Sequence, residues 1–115
     1  MDHDEARRLL HTERERLNAM LAASAESVRE QQGKDAGGSD AAKDVVDREM
    51  ERSELRHLYD ELQEVDAAFE RLEQGTYGIS ELSGEPIPDE RLRANPTARL
   101  LVSEQERADR GVTRR

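Results

Sequence analysis

The chain has 115 residues, of which 34% are hydrophobic and 39% charged, and its formal net charge is −9 at pH 7. This length accommodates one domain or one elongated helical hairpin with a small appendage, and the low apolar content favours the hairpin over a compact globule. The acidic balance argues against direct DNA binding, which needs basic surface to release counterions, and the absence of cysteine excludes disulfides and thiolate metal sites.

The N-terminal segment is predicted to form a helix over about residues 4–31, because neither proline nor glycine occurs there. Alternating charges lie on the solvent side of this helix. Its apolar residues share one face, and they are Leu10, Leu17, Met20, Leu21 and Val28. Residues 31–39 then hold three glycines in a polar run, which predicts that the chain turns.

A second helix is predicted over residues 40–74, with Ser39 or Asp40 as its N-cap. Its apolar residues recur at spacings of three and four, as in the seam of a left-handed coiled coil, and they are Leu55, Leu58, Leu62, Val65, Phe69 and Leu72. A seam this narrow needs a second helix to cover it, and the first helix is the predicted cover. Since a short loop joins them, the two helices should form an antiparallel, monomeric hairpin. The apolar stripe slips near residues 51–54, where we expect a local change in packing.

Short elements are predicted after Gly75, where the seam ends. Ile79 and Ile87 flank a Ser-Gly turn, which indicates a short hairpin. Asn95 followed by a proline is typical of the start of a helix, here over about residues 96–108. The apolar candidates for the core of this module are Ile79, Leu82, Ile87, Leu92, Leu100, Leu101 and Val102. The predicted fold class is mostly α, with a coiled-coil hairpin at 1–74, its turn near 31–42, and a small module at 75–115.

The C-terminal module also carries an ordered set of residues, namely Gly75, Thr76, Tyr77, Gly78, Gly84, Ile87, Arg91, Leu92, Ala94, Pro96, Thr97 and Ala98. This set, preceded by a long helical hairpin, resembles the C-terminal finger of the DksA/TraR family of bacterial transcription regulators. The family finger binds zinc through two Cys-x2-Cys pairs separated by seventeen residues. That spacing is kept here, but the four positions are Ser80, Ser83, Leu101 and Glu104. The resemblance therefore implies a degenerate, zinc-independent finger.

The resemblance further implies a regulator that binds RNA polymerase directly and inserts the end of its coiled coil into the secondary channel. The family motif at that end is Asp-x-x-Asp-x-Ala. Its second aspartate and its alanine match Asp40 and Ala42, whereas Gly37 stands at the position of the first aspartate. Asp40 and Ala42 are therefore the predicted polymerase contacts, and Asp40 is explained equally well as a helix cap. Some members bind ppGpp through basic residues, but the candidate positions in this chain, Glu64 and Gln105, are not basic. No cofactor is predicted.

No enzymatic activity is predicted, because phosphate-binding loops, nucleophile elbows and metalloprotease helices are all absent from the sequence. The three histidines are scattered, which argues against a metal site. A cytoplasmic location is expected, since the acidic N-terminal residues do not resemble a signal peptide and no apolar run approaches the roughly 20 residues of a membrane span. The alternative to a polymerase regulator is a coiled-coil scaffold protein that pairs with another chain.

Overall fold

The structure is a computed structural model that describes the backbone of residues 1–34 and 41–113 and the side chains of residues 1–26 and 52–111. The helices within these ranges are α1 (His3–Lys34), α2 (Ala41–Gln74), α3 (Asp89–Ala94) and α4 (Val102–Thr113). The prediction of a mostly α fold is confirmed. Among the described residues, no helix combines the length and the apolar character that a membrane span requires.

The first compact unit comprises Met1–Glu13 and Val65–Arg115. Within it, a buried apolar cluster joins the N-terminal end of α1 to the C-terminal end of α2, and its members are Ala6, Leu10, Ala68 and Leu72. The two helices are therefore antiparallel in this unit, and α1 packs on the C-terminal end of the predicted seam, at Phe69 and Leu72. The predicted domain boundary between residues 74 and 75 stays a prediction, since this unit also includes the C-terminal module.

The second compact unit comprises Arg14–Glu64, which is the remainder of α1 and the first part of α2. Leu58, from the predicted seam, is buried there, and Leu55 and Leu62 are half-buried. The backbone of α2 is helical through residues 51–54. The change in packing predicted there stays a prediction, because the neighbouring side chains lie outside the described residues.

Met20 departs from the sequence prediction, which placed it on the apolar face of α1. Its side chain is 39% exposed, whereas Leu17 on the same helix is buried. Arg16, one turn earlier, donates a hydrogen bond from Nη1 to Met20 Sδ at 3.2 Å. Leu21, the next residue, is half-buried and takes the inner position instead. Met20 therefore lies at the charged edge of α1.

The end of α2 is set by Gly75, as the sequence predicted. The N–H of Gly75 bonds the carbonyl of Leu72, and the N–H of Thr76 bonds the carbonyl of Arg71 at 2.9 Å. This pair of bonds is the Schellman motif, which needs a left-handed residue after the helix. Gly75 supplies that conformation with φ of 77°.

The short hairpin predicted after α2 is present as one antiparallel bridge between Ile79 and Pro86. The N–H of Ser80 bonds the carbonyl of Glu85 at 2.8 Å, and the N–H of Ile87 bonds the carbonyl of Gly78 at 2.8 Å. Successive side chains on an extended segment point to opposite faces. Ser80 is buried on the inner face, and Ile79 is therefore exposed on the outer one.

The core of the C-terminal module is smaller than the sequence predicted. Its buried residues are Ile87, Leu92 and Ala98, with Met1, Tyr77 and Leu101 packed against them. Three other candidates are wrong, because Ile79, Leu82 and Val102 are 41%, 65% and 51% exposed. Leu82 lies in the hairpin turn, and Val102 is the first residue of α4. Neither position faces the core.

The prediction of a last helix starting at Pro96 is also wrong. Asn95 caps the C-terminus of α3, a helix that the sequence prediction missed, and its N–H bonds the carbonyl of Arg91 at 2.7 Å. The final helix, α4, begins at Val102. The acidic residues Asp89 and Glu90 were the signal for α3, because negative charge suits the first turn of a helix.

Residues 96–101 are not helical, and long side chains from elsewhere in the module bond two of their carbonyls. The hydroxyl of Tyr77 donates to the carbonyl of Pro96 at 2.7 Å. The Nε–H of Arg91 donates to the carbonyl of Leu100 at 2.8 Å. These two carbonyls accept hydrogen bonds from side chains, and residues 96–101 form an irregular connection between α3 and α4.

Candidate functional site

The candidate site comprises the four positions that correspond to the zinc ligands of the finger. Two of them lie in the hairpin turn and two at the N-terminus of α4. The flanking residues bring the two segments together: the N–H of Glu81 bonds the carbonyl of Arg99 at 2.9 Å. The guanidinium of Arg99 also pairs with the carboxylate of Glu81 at 2.7 Å. These contacts of the flanking residues place the two pairs of ligand positions close together in space.

Ser80 lies at the centre of this arrangement and is only 3% exposed. Its hydroxyl donates to Glu104 Oε1 at 2.6 Å. The same hydroxyl oxygen accepts the N–H groups of Leu82 and Ser83, each at 3.2 Å. A serine hydroxyl has one donor and two acceptor sites. All three are occupied, so the buried hydroxyl has no unmet hydrogen bond.

Glu104 is the third residue of α4, and its Oε1 accepts the N–H of Leu101 at 2.9 Å. Leu101 is the N-cap, since its carbonyl accepts the first intrahelical bond, from Gln105 at 2.9 Å. A glutamate at the third position that bonds the N-cap amide is one half of a capping box. Its negative charge also complements the positive end of the helix dipole. Glu104 thus caps α4 and contacts Ser80 through the same oxygen.

Hydrogen bonds hold the pKa of Glu104 below its ordinary value of 4.5. The hydroxyl of Ser80 contributes most, followed by the N–H of Leu101 and the hydroxyl of Ser83. Burial acts in the opposite direction, and nearby Arg107 adds a further lowering. The side chain is therefore a carboxylate at neutral pH, which is the form that accepts all of these bonds.

The residues at the four positions do not fit a zinc ion. Zinc in proteins is held by thiolate, imidazole or carboxylate ligands, usually four in number. Leu101 has no ligating atom and the two serines are neutral hydroxyls, which leaves the carboxylate of Glu104. That carboxylate is bonded directly to Ser80 at 2.6 Å. Within the described ranges, no group of three or more histidine, cysteine, aspartate or glutamate residues is placed to hold a metal ion.

The framework residues that carry the family resemblance have structural roles around this site. Gly78 has φ of 78°, and a Cβ built on it would lie 3.3 Å from Leu92 Cδ1. Tyr77 packs against both apolar clusters of the unit. Burial raises the pKa of Tyr77 to about 12, with Arg71 acting weakly the other way. These residues build the module around the candidate site.

The sequence identifies the four positions but not the contact between them. From the sequence alone, Ser80 and Ser83 are interpreted as polar remnants of ligand positions, and Glu104 is assigned only as a degenerate ligand position. A signal was present, since a hydroxyl donor and a carboxylate acceptor at paired ligand positions are complementary. Asp40 lies outside the described residues, and Ala42 lies in α2 with its side chain outside them.

Comparison with known proteins agrees with the architecture described above. Residues 75–110 match the model of the prokaryotic dksA/traR C4-type zinc finger. The RNA polymerase-binding transcription factor DksA of Caulobacter vibrioides is 41% identical over 75 residues, which is 63% of this chain and 51% of that protein. The match thus spans about half the length of that relative.

Solved structures extend the likeness to nearly the whole chain. Transcription factor DksA2 from Pseudomonas aeruginosa is similar with a TM-score of 0.86 and 30% identity, over 96% of this chain and 85% of that one. The RNA polymerase binding protein and transcriptional regulator Dks from Chlamydia trachomatis is similar with a TM-score of 0.51 and 25% identity, over 97% and 95% of the two chains. Both the long helices and the C-terminal finger are therefore shared, and this chain belongs to the DksA/TraR family as a cysteine-free member, consistent with a zinc-free finger.

Proposed function

We propose that this protein regulates transcription by binding RNA polymerase directly, as a cytoplasmic, monomeric factor. The observation that carries the proposal is the structural likeness to transcription factor DksA2, which extends over 96% of the chain. The Caulobacter relative is an RNA polymerase-binding transcription factor, which supports the same partner. The net charge of −9 is consistent with a protein partner and disfavours non-specific DNA binding.

We further propose a division of labour between residues 1–74 and 75–115. The hairpin inserts its end, near residues 31–42, into the secondary channel of the polymerase. Asp40 and Ala42 are the residues that approach the active-site region. The C-terminal module keeps a folded surface without metal, through Ser80 and Glu104. Catalysis by the chain itself forms no part of this proposal.

Replacement of Asp40 by asparagine tests the role of the hairpin end. Asparagine serves at a helix N-terminus as well as aspartate does, so the melting temperature should stay within about 2 °C of the unaltered protein. Binding to polymerase should persist, because one side chain is a small part of an interface. The effect on transcription in vitro, measured with binding saturated, should fall. Unchanged regulation by the Asp40→Asn protein would show that Asp40 is only a cap.

The scaffold alternative predicts a different oligomeric state. A polymerase regulator built as an intramolecular hairpin should sediment as a monomer of 13.1 kDa. A scaffold that pairs its seam with another chain should sediment as a stable dimer. A dimer with no affinity for core polymerase would replace the proposed function by the alternative.

A further inference from the structure

α4 is held on the C-terminal module in an unusual way. Among residues 102–111, whose side chains the structure describes, Glu104 is buried and the others are exposed. Val102, the only large apolar residue in that stretch, is 51% exposed. Helices in proteins are stabilised mostly by packing of an apolar face. That source of stability is missing along the described part of α4.

The intrinsic helix tendency of α4 is also modest. The helix has 12 residues, which is marginal for an isolated helix in water. Gly111 lies within it, and glycine in a helix costs about 1 kcal/mol relative to alanine. An exposed hydrogen bond joins Gln105 to Asp109 at 3.0 Å, and such a surface pair adds little. The helix therefore depends on what holds its first turn.

The first turn of α4 is held by the carboxylate of Glu104. Its Oε1 contacts Ser80 Oγ at 2.6 Å and Leu101 N at 2.9 Å. Ser80 in turn accepts two amides of the hairpin turn at 3.2 Å. One charged oxygen thus links the turn to the start of the helix, and hydrogen bonds to a charged group are stronger than neutral ones.

A C4-type finger joins the same two segments through a metal ion, whose binding is coupled to folding. In this chain the residues at those positions do not fit the metal. We propose that the Ser80–Glu104 contact replaces it as a latch that docks α4 on the hairpin turn. Loss of this latch releases α4 while the rest of the unit stays folded, because the apolar clusters of the unit contain none of residues 102–111, the part of α4 whose side chains the structure describes.

Amide hydrogen exchange of the full chain, followed by NMR, tests the latch. In Glu104→Ala, exchange at Leu101 and at residues 106–110 should accelerate at least about tenfold, while residues 65–74 of α2 stay within about twofold. Alanine is the better helix former, so intrinsic propensity alone would slow exchange in α4. The matched control is Glu106→Ala, which removes an exposed carboxylate from the same helix. It should leave exchange within about twofold throughout.

Ser80→Ala keeps the charge of Glu104 and removes the hydroxyl alone. The same region should exchange faster, by about three- to tenfold. The double variant should be no worse than the more severe single one, because both remove one contact. The proposal is overturned if Glu104→Ala behaves like Glu106→Ala, or if the two single effects add. It is equally overturned if both single variants lose protection across 65–74, since the contact would then hold the whole unit.

Discussion

Ser80 and Glu104 are separated by 24 residues in the sequence and by 2.6 Å between Oγ and Oε1 in the structure. Neither residue type is unusual by itself, and each is commonly found at protein surfaces. Both are buried here, at 3% and 7% exposure, because each satisfies the other. A buried hydroxyl or carboxylate without a partner is costly, whereas a satisfied pair specifies one arrangement.

The lowered pKa of Glu104 predicts a contribution to stability that depends on pH. The unfolded chain protonates this carboxyl near its ordinary value of 4.5, and the folded protein does so only at lower pH. The contribution is therefore complete above that value and disappears as the pH falls through the lower folded pKa. The protection of the α4 amides against hydrogen exchange should differ clearly between the unaltered protein and Glu104→Gln at pH 7. The difference should shrink at about pH 3.5.

The other 26 carboxyl side chains are common to both proteins, so the comparison isolates Glu104. A difference in protection that is the same at both pH values would contradict the role given to the ionised form. It would mean that packing of the side chain, rather than its charge, is what matters.

The raised pKa of Tyr77 predicts the opposite pH dependence of stability, in the alkaline range. Its pKa is raised to about 12, so an unfolded chain ionises near 10 before the folded protein does. The contribution is complete below pH 10 and is lost as the pH rises towards 12. Tyr77→Phe should cost about 0.5–1.5 kcal/mol at pH 7, because the bond to Pro96 is lost. It should also reduce the fall in stability between pH 9 and 11, and an unchanged fall would contradict the assignment.

At the scale of elements, the packing of α1 on α2 supplies the clearest mutational test. Leu10 is fully buried in the cluster between the two helices. Leu10→Ala should lower the free energy of unfolding by about 2–5 kcal/mol, from lost burial and the cavity left behind. Met20→Ala, at an exposed site of the same helix, should cost less than about 1 kcal/mol. Equal effects in urea unfolding would show that α1 does not cover α2 as described.

The finger offers a second test at this scale, because its segments keep the spacing of a C4 site. Cysteine at all four positions (Ser80→Cys, Ser83→Cys, Leu101→Cys and Glu104→Cys) should create a site for about one zinc ion per chain. The unaltered protein should contain no stoichiometric zinc, and a chelator should leave its melting temperature unchanged. Metal analysis of both proteins decides this. Zinc in the unaltered protein, or none in the variant, would contradict the metal-free finger described above.

The long helices and the helix end at Gly75 could be predicted from the sequence. Heptad spacing and a glycine after a helix are local patterns that involve only residues close together in the chain. They failed at residues 96–101, where Tyr77 and Arg91 bond the carbonyls of Pro96 and Leu100. Those partners are distant in the sequence, so an Asn-Pro pair alone gave the wrong helix start. The contact of Ser80 with Glu104 is non-local in the same sense. In the sequence, only the spacing shared with a C4 finger indicated that these two residues lie close together.

At the scale of the whole molecule, the proposed function rests on likeness to transcription factors that share both the long helices and the finger. This chain differs from a C4-type finger in the contact that joins the two segments of the finger. Its long helices, in contrast, follow the architecture shared with these proteins. A metal-independent finger leaves the proposed action on polymerase insensitive to zinc supply. Regulation in vitro should therefore be the same with and without a chelator that is selective for zinc over magnesium.

Site-specific cross-linking to RNA polymerase tests the central claim most directly. A photo-reactive amino acid is placed at Ala42, near the proposed inserted end, and in a second protein at Glu106, an exposed position of α4. Each protein is mixed with core polymerase, irradiated, and its cross-links are mapped by mass spectrometry. We expect a one-to-one complex in which cross-links from position 42 fall inside the secondary channel and those from position 106 fall outside it. Failure to form a complex, or cross-links from position 42 to an outer surface, would contradict the proposed function.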